Sequence, residues 1–245
     1  MSAFFYIERE YPPGAGFGMF SWGHFMCLAL CGLILAALVR AYCRAGRACR
    51  ARLRRVVGLG AVLLELLRAG LLWRCGLYDL GRLPLHLCTM AIYICAAHAF
   101  LGGALTGQFL YAFCMPGALF ALFFPDWAGY PLVHFMTAAG FLLHALIVGY
   151  VLMQVASREL VPDVRALPRC CLRMLAIAAP VYIFDRLTDT NYMFLSRPSP
   201  GSPLELFDFL GRPRYILGYI PLAAAAWAVL YAPFARPLRN KKSAG

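Results

Sequence analysis

The residues of this chain best suited to do chemistry are His86, Cys88 and His144. An imidazole and a thiol stand two positions apart in Leu83-Pro84-Leu85-His86-Leu87-Cys88, and a second imidazole lies in a later apolar stretch. A thiol that loses its proton to a neighbouring histidine is a nucleophile for acyl carbonyls. A carboxylate that orients the base completes the usual triad logic, and Glu65 is a candidate for that part. Further ionisable or polar groups accompany them: Arg74, Asp126, His134, Asp189, Asn191 and Tyr192 as substrate-binding candidates, with Arg74 able to hold a headgroup phosphate. Glu65 and Arg68, three apart on one helix face, read as a structural polar pair. On an ideal helix His86 and Cys88 differ by about 200°, so one cavity wall displays both only if the Pro84 start is irregular. His134 and His144 share a face only loosely, being offset by about 80°.

These groups are set in a chain that is 62% hydrophobic and 14% charged, with a mean hydropathy of +0.69. That composition belongs to a polytopic membrane protein; a soluble domain carries about 25% charge. Seven apolar spans follow from the length needed to cross about 30 Å of hydrocarbon: roughly 19–41, 56–78, 84–101, 108–124, 131–153, 172–192 and 215–234. The third and fourth are short, which suits a tilted or re-entrant helix. The expected fold is all-α, a single membrane domain over residues 1–245 containing a bundle of about seven transmembrane helices. The acidic, Pro/Gly-rich start (Glu8, Glu10, Pro12, Pro13) lacks the basic region of a secretory signal, so the first span is read as a retained helix.

The net charge of +12 resides in loops between spans, where basic residues set topology and meet anionic lipid; no nucleic-acid partner is implied. Arg40, Arg44, Arg47, Arg50, Arg52, Arg54 and Arg55 follow span one, Arg158, Arg165, Arg169 and Arg173 follow span five, and Arg236, Arg239, Lys241 and Lys242 end the chain. The positive-inside rule then puts the N-terminus out and the C-terminus in, which an odd span number satisfies. Trp22, Trp73 and Trp127 fall near outer span ends, as interfacial anchors do. His24 and His98 read as interface residues.

With this topology, His86, Cys88, His134, Asp126, Asp185 and Asp189 share the outer half of the membrane. Polar groups in lipid are costly and normally face a cavity, so their common depth implies an outward-facing polar site. Pro116 and Pro180 interrupt spans and free backbone carbonyls toward the interior. The Ser/Pro-rich run from Ser196 to Pro203 reads as an extended outer loop. Ten cysteines occur without any C-x-x-C pair, so neither a metal site, a cofactor nor a disulfide framework is expected.

Several blocks together carry a resemblance. Leu83 to Cys88, Pro125-Asp126, His134-Phe135 with His144, Thr190-Asn191-Tyr192-Met193 and Arg214-Tyr215-Ile216-Leu217-Gly218 resemble the YwaF family of bacterial integral membrane proteins. That family is similar to the eukaryotic transmembrane protein 164 family, associated with acyl transfer to ether phospholipids. The resemblance implies a multi-pass protein of the bacterial cytoplasmic membrane whose partners are membrane lipids. In the eukaryotic group the cysteine of an Asn-Pro-Cys-His string is the nucleophile. Aligned on Pro84 and His86, that position here is Leu85, which has no nucleophilic atom; Cys88 lies one turn on, at i+3. Three functions remain open at this point: a lipid acyltransferase or acyl hydrolase, a small-solute transporter, and a membrane scaffold without catalysis.

Overall fold

The computed structural model describes residues 3–5, 11 and 14–234. Glu8, Glu10, Pro12 and Pro13, and the basic tail residues Arg236, Arg239, Lys241 and Lys242, lie outside the described residues. Helices and 3-10 turns account for all regular structure among the described residues. Seven apolar helices follow one another: α1 (Trp22–Arg44), α2 (Arg47–Arg74), α3 (Leu87–Leu101), α4 (Ala104–Phe123), α5 (Phe135–Ala156), α6 (Leu167–Thr188) and α7 (Tyr219–Tyr231). Counting the 3-10 turns that extend α6 and α7, six are long and apolar enough to cross a membrane, and α3 is the exception. Its 15 residues span about 22 Å.

α3 nevertheless reaches from one end of the bundle to the other. Its N-cap His86 accepts a hydrogen bond from Met193 N, beyond the end of α6. Near its last turn His98 Nδ1 lies 2.9 Å from Tyr150 OH, close to the far end of α5. The chain is thus a multi-pass helical bundle, and the short third span is accommodated within it.

The turn between α1 and α2 shows why the arginine-rich run is not a loop. Only Ala45 and Gly46 separate the helices, and the helix starts at Arg47 rather than near residue 56. Arginine is a good helix former, and Arg50 serves the turn directly. Its Nε and Nη2 donate to the carbonyls of Tyr42 and Cys43 at 3.0 and 2.9 Å, in the last turn of α1, where carbonyls lack helical partners. Arg50 and Arg54 also pair with Glu159, which accepts the Tyr42 hydroxyl proton at 2.6 Å. This basic end is the inner end by the positive-inside rule.

α5 is the central helix: 13 of its 22 residues are buried, against three of 23 in α1. Close approach of neighbours rests on small residues, the usual device where lipid supplies no hydrophobic drive between helices. A Cβ on Gly58 of α2 would meet Ala96 Cα of α3 at 2.9 Å, and one on Gly149 of α5 would meet Leu38 of α1 at 2.8 Å. The outward faces remain apolar, as at Leu30 and Leu33.

Three further readings change. Trp22 and Trp73 are strongly exposed, as anchors should be, but Trp127 is turned inward against Phe141 and His144. His24 is fully buried: Nδ1 accepts from Phe20 N at 3.0 Å and Nε2 donates to Leu122 O at 2.8 Å, tying α1 to α4. Beyond α6 the serine- and proline-rich segment is not simply extended. Ser199 and Ser202 are buried, and Pro203–Leu210 forms a 3-10 helix.

Candidate functional site

Pro116 shapes the bundle around the site. It carries no N–H, so it cannot bond to the carbonyl of Ala112 four residues back. That carbonyl accepts Trp227 Nε1–H of α7 at 2.8 Å. The same stretch of α4 opens into one π-helical turn, Leu110–Cys114, a feature common at functional sites. Tyr111 OH adds a bond to Leu230 O at 2.6 Å. Together these contacts fasten the inner half of α7 to α4. At its outer end α7 is held by Tyr219 OH, which donates to Met193 O at 2.8 Å.

Between these fastenings lies a cavity of about 590 Å³. Its polar lining includes Glu65, Arg68, Arg82, His86, Cys88, Asp126 and His144, from α2, the α2–α3 and α4–α5 connections, α3 and α5. Arg82 and Asp126 are exposed and mark its mouth. The irregular start of α3 is what lets His86 and Cys88 share this wall. His86 is the N-cap, with φ −67° and ψ 143°, outside the helical geometry that would have turned it away from Cys88. Leu85, by contrast, packs into the separate apolar cluster of Val181, Tyr192, Met193 and Leu195 and does not line the cavity.

The two cavity histidines present opposite faces of the same chemistry. His144 Nδ1 lies 2.7 Å from Gly140 O. A carbonyl can only accept, so Nδ1 carries the proton and Nε2 is left as an acceptor. His86 Nδ1 lies 3.3 Å from Met193 N, which can only donate, so in the neutral ring the proton sits on Nε2. One ring offers a lone pair and the other an N–H. Cys88 Sγ is hydrogen-bonded to neither ring among the described residues. The His144 ring lies on the indole of Trp127, centroids 4.7 Å apart and 21° from parallel. Gly140 leaves the space for that indole: a Cβ there would fall 2.7 Å from it.

Glu65 and Arg68 form a two-point ion pair, Nε to Oε2 at 2.8 Å and Nη2 to Oε1 at 2.6 Å. Both Glu65 oxygens are thereby engaged with arginine rather than with a histidine. Inward of the cavity, Ile92, Leu143 and Ile147 form its apolar floor, and Cys95, Cys114, Tyr150 and Val151 are packed in the core around it.

The other predicted site residues lie elsewhere. Arg74 is exposed at the last turn of α2, away from the cavity, whereas Arg82 lines it. His134 is the N-cap of α5: Nδ1 accepts from Met136 N at 3.1 Å and Nε2 lies 3.2 Å from Tyr11 OH. Asp189 ends α6 in the left-handed region at φ 53°. Asn191 closes the following loop, its Oδ1 accepting from Ser196 N and Arg197 N. Tyr192 braces the segment that carries His86. Its hydroxyl accepts from Leu83 N at 2.7 Å and donates to Leu80 O, and burial pushes its phenol above the ordinary range. Asp185, fully buried, accepts from Tyr192 N and from Thr190 through one oxygen.

Gly140 and Trp227 are the participants that sequence reasoning passes over, and Trp127 is one that it reads as an interfacial anchor. No local pattern marks the bond of His144 to the Gly140 carbonyl, since every helical residue has a carbonyl four positions back. Among the described residues no group of three His, Cys, Asp or Glu side chains is arranged to hold a metal, and all ten cysteines are free.

Compared with known proteins, residues 19–231 match the family model of the TMEM164 family. No curated protein and no solved structure matches.

Proposed function

Because the chain belongs to the TMEM164 family, we propose that it is a membrane enzyme that moves or hydrolyses a lipid acyl group, with Cys88 as nucleophile, His144 as base and His86 as hydrogen-bond donor to the developing oxyanion. One observation carries this reading. Two histidines of opposite tautomer, one accepting and one donating at Nε2, border the same cavity as a thiol.

The steps balance. His144 Nε2 takes the Cys88 proton, and Sγ bonds to the ester carbonyl carbon. The carbonyl electrons move to oxygen, where His86 Nε2–H stabilises the charge. Collapse breaks the carbon–oxygen ester bond, and the departing alkoxide takes the proton from His144. Attack of water or a second alcohol on the thioester, with the same proton route, regenerates the thiol. Apo geometry often leaves such hydrogen bonds unformed until substrate binds. Arg82 at the mouth replaces Arg74 as the candidate contact for a headgroup phosphate. We further assign the protein to the cytoplasmic membrane of a bacterium, in line with the YwaF-like resemblance, with membrane lipids as its partners.

A transport role needs a polar path past Glu65 and Arg68 to the inner end. The packed floor of Ile92, Leu143 and Ile147 argues against one.

The test is turnover of phosphatidylcholine vesicles by the purified chain, read as free fatty acid and acyl exchange. Cys88→Ala and His144→Gln should each lower the rate at least about a hundredfold, the usual worth of a positioned acid–base group. Equal rates in wild type and both variants, or no lipid turnover in any of them, would remove the assignment.

A further inference from the structure

α4 and α7 face each other without filling the space between them. On α7 the residues at helical spacing toward the cavity are Tyr219, Leu222, Ala223, Ala226 and Trp227. On α4 the opposing wall is Phe113, Pro116, Gly117, Phe120 and Ala121. These residues are only half-buried, and apart from Phe113 and Trp227, which touch, they border the open volume. The helices are fastened at the inner end, where Trp227 bonds to Ala112 and sets its ring edge-on to Phe113 at 5.4 Å. From Tyr219 to Trp227 the wall runs eight residues, about 12 Å along the helix axis. No charged side chain stands on either wall, whereas the charged groups and the two histidines belong to the rest of the cavity. An apolar space of this kind has no partners for water and favours an apolar occupant.

We infer that this space is an acyl-chain slot, closed at its inner end by Trp227 and gauged by the small side chains Ala223 and Ala226. The inference rests on the acyl-transfer reading for the placing of the chain's carbonyl end among His86, Cys88 and His144. It adds a claim that the reading lacks: chain length is selected on α7, remote from the reacting atoms.

The experiment uses the full chain in phosphatidylcholine vesicles doped with one of two photoactivatable phosphatidylcholines, hexadecanoyl or hexanoyl, each bearing a diazirine at the chain end. In wild type the hexadecanoyl probe should label peptides containing Phe113 to Phe120 and Leu222 to Trp227. Ala226→Phe, and independently Ala223→Leu, should lower that labelling about tenfold and spare the hexanoyl probe. Labelling of the lipid-facing residues Leu30 and Leu33 stays constant and reports correct insertion. Labelling confined to such outward faces in wild type would overturn the slot. So would equal hexadecanoyl labelling of the slot peptides in wild type and in both inserted variants. The readout needs no turnover. If His144→Gln keeps both slot labelling and lipid turnover, the catalytic reading fails while the slot stands.

Discussion

The indole of Trp227 donates to the carbonyl of Ala112, the acceptor that Pro116 cannot serve. The span that opens into a π-helical turn and the last helix are thereby tied together. Trp227→Phe removes the bond and should cost about 0.6–1.7 kcal/mol, the range for interhelical hydrogen bonds in membranes. Pro116→Ala returns an N–H within reach of the same carbonyl. Trp227→Phe should therefore cost less in the Pro116→Ala background than in the wild type, as a double-mutant cycle of thermal unfolding would read.

Gly140 and Trp127 set the His144 ring. Gly140→Ala drives a methyl group into the indole, which should cost about 1–3 kcal/mol as overpacking does. Trp127 fluorescence should shift, and lipid turnover should fall further than folded protein content. Unchanged fluorescence together with unchanged turnover would show that Trp127 does not position the histidine.

Tyr192 holds the segment between Leu80 and His86. Tyr192→Phe leaves the Leu83 N–H and the Leu80 carbonyl without their partner, at a cost of about 1–3 kcal/mol. Because His86 caps the helix immediately after this segment, turnover should drop in protein that is still folded. Size-exclusion elution beside the vesicle assay checks both halves.

Glu65 and Arg68 neutralise each other at the cavity wall. Glu65→Gln strands the guanidinium and should destabilise by about 3 kcal/mol. Replacing both, as Glu65→Gln with Arg68→Gln, should recover most of that loss in a thermal melt. A double variant as unstable as the single one would show that Arg68 has a further partner in the cavity.

Much of the architecture is legible in the residue order. Seven apolar stretches appear as seven helices, and the shortness of the third is visible from its length. The freed carbonyl at Pro116 follows from the missing N–H alone. The shared outer depth of His86, Cys88 and Asp126 follows from counting residues along alternating spans, and the cavity they line reaches His144 deeper in α5. What cannot be read is the geometry that depends on distant partners. His134 looks like a site residue until Met136 N is found bonded to it. Trp127 resembles an anchor because its sequence neighbourhood is interfacial, yet Gly140, thirteen positions on, makes the space that draws it inward. The tautomers of His86 and His144 are set by one backbone amide and one carbonyl, neither visible as a pattern. The helical start at Arg47 is hidden because the same arginines that signal a cytoplasmic loop also favour helix and cap α1.

The packing of Leu85 into the apolar cluster beside Tyr192 has a consequence for kinship. At the position that the Asn-Pro-Cys-His resemblance aligns with a cysteine, this chain has committed its side chain to structural filling. A comparison by that string alone finds no thiol in this chain. Sorted by which atoms border the cavity, it keeps a sulfur and two imidazoles. The aligned position and the thiol that borders the cavity are thus different residues, Leu85 before the start of α3 and Cys88 within its first turn.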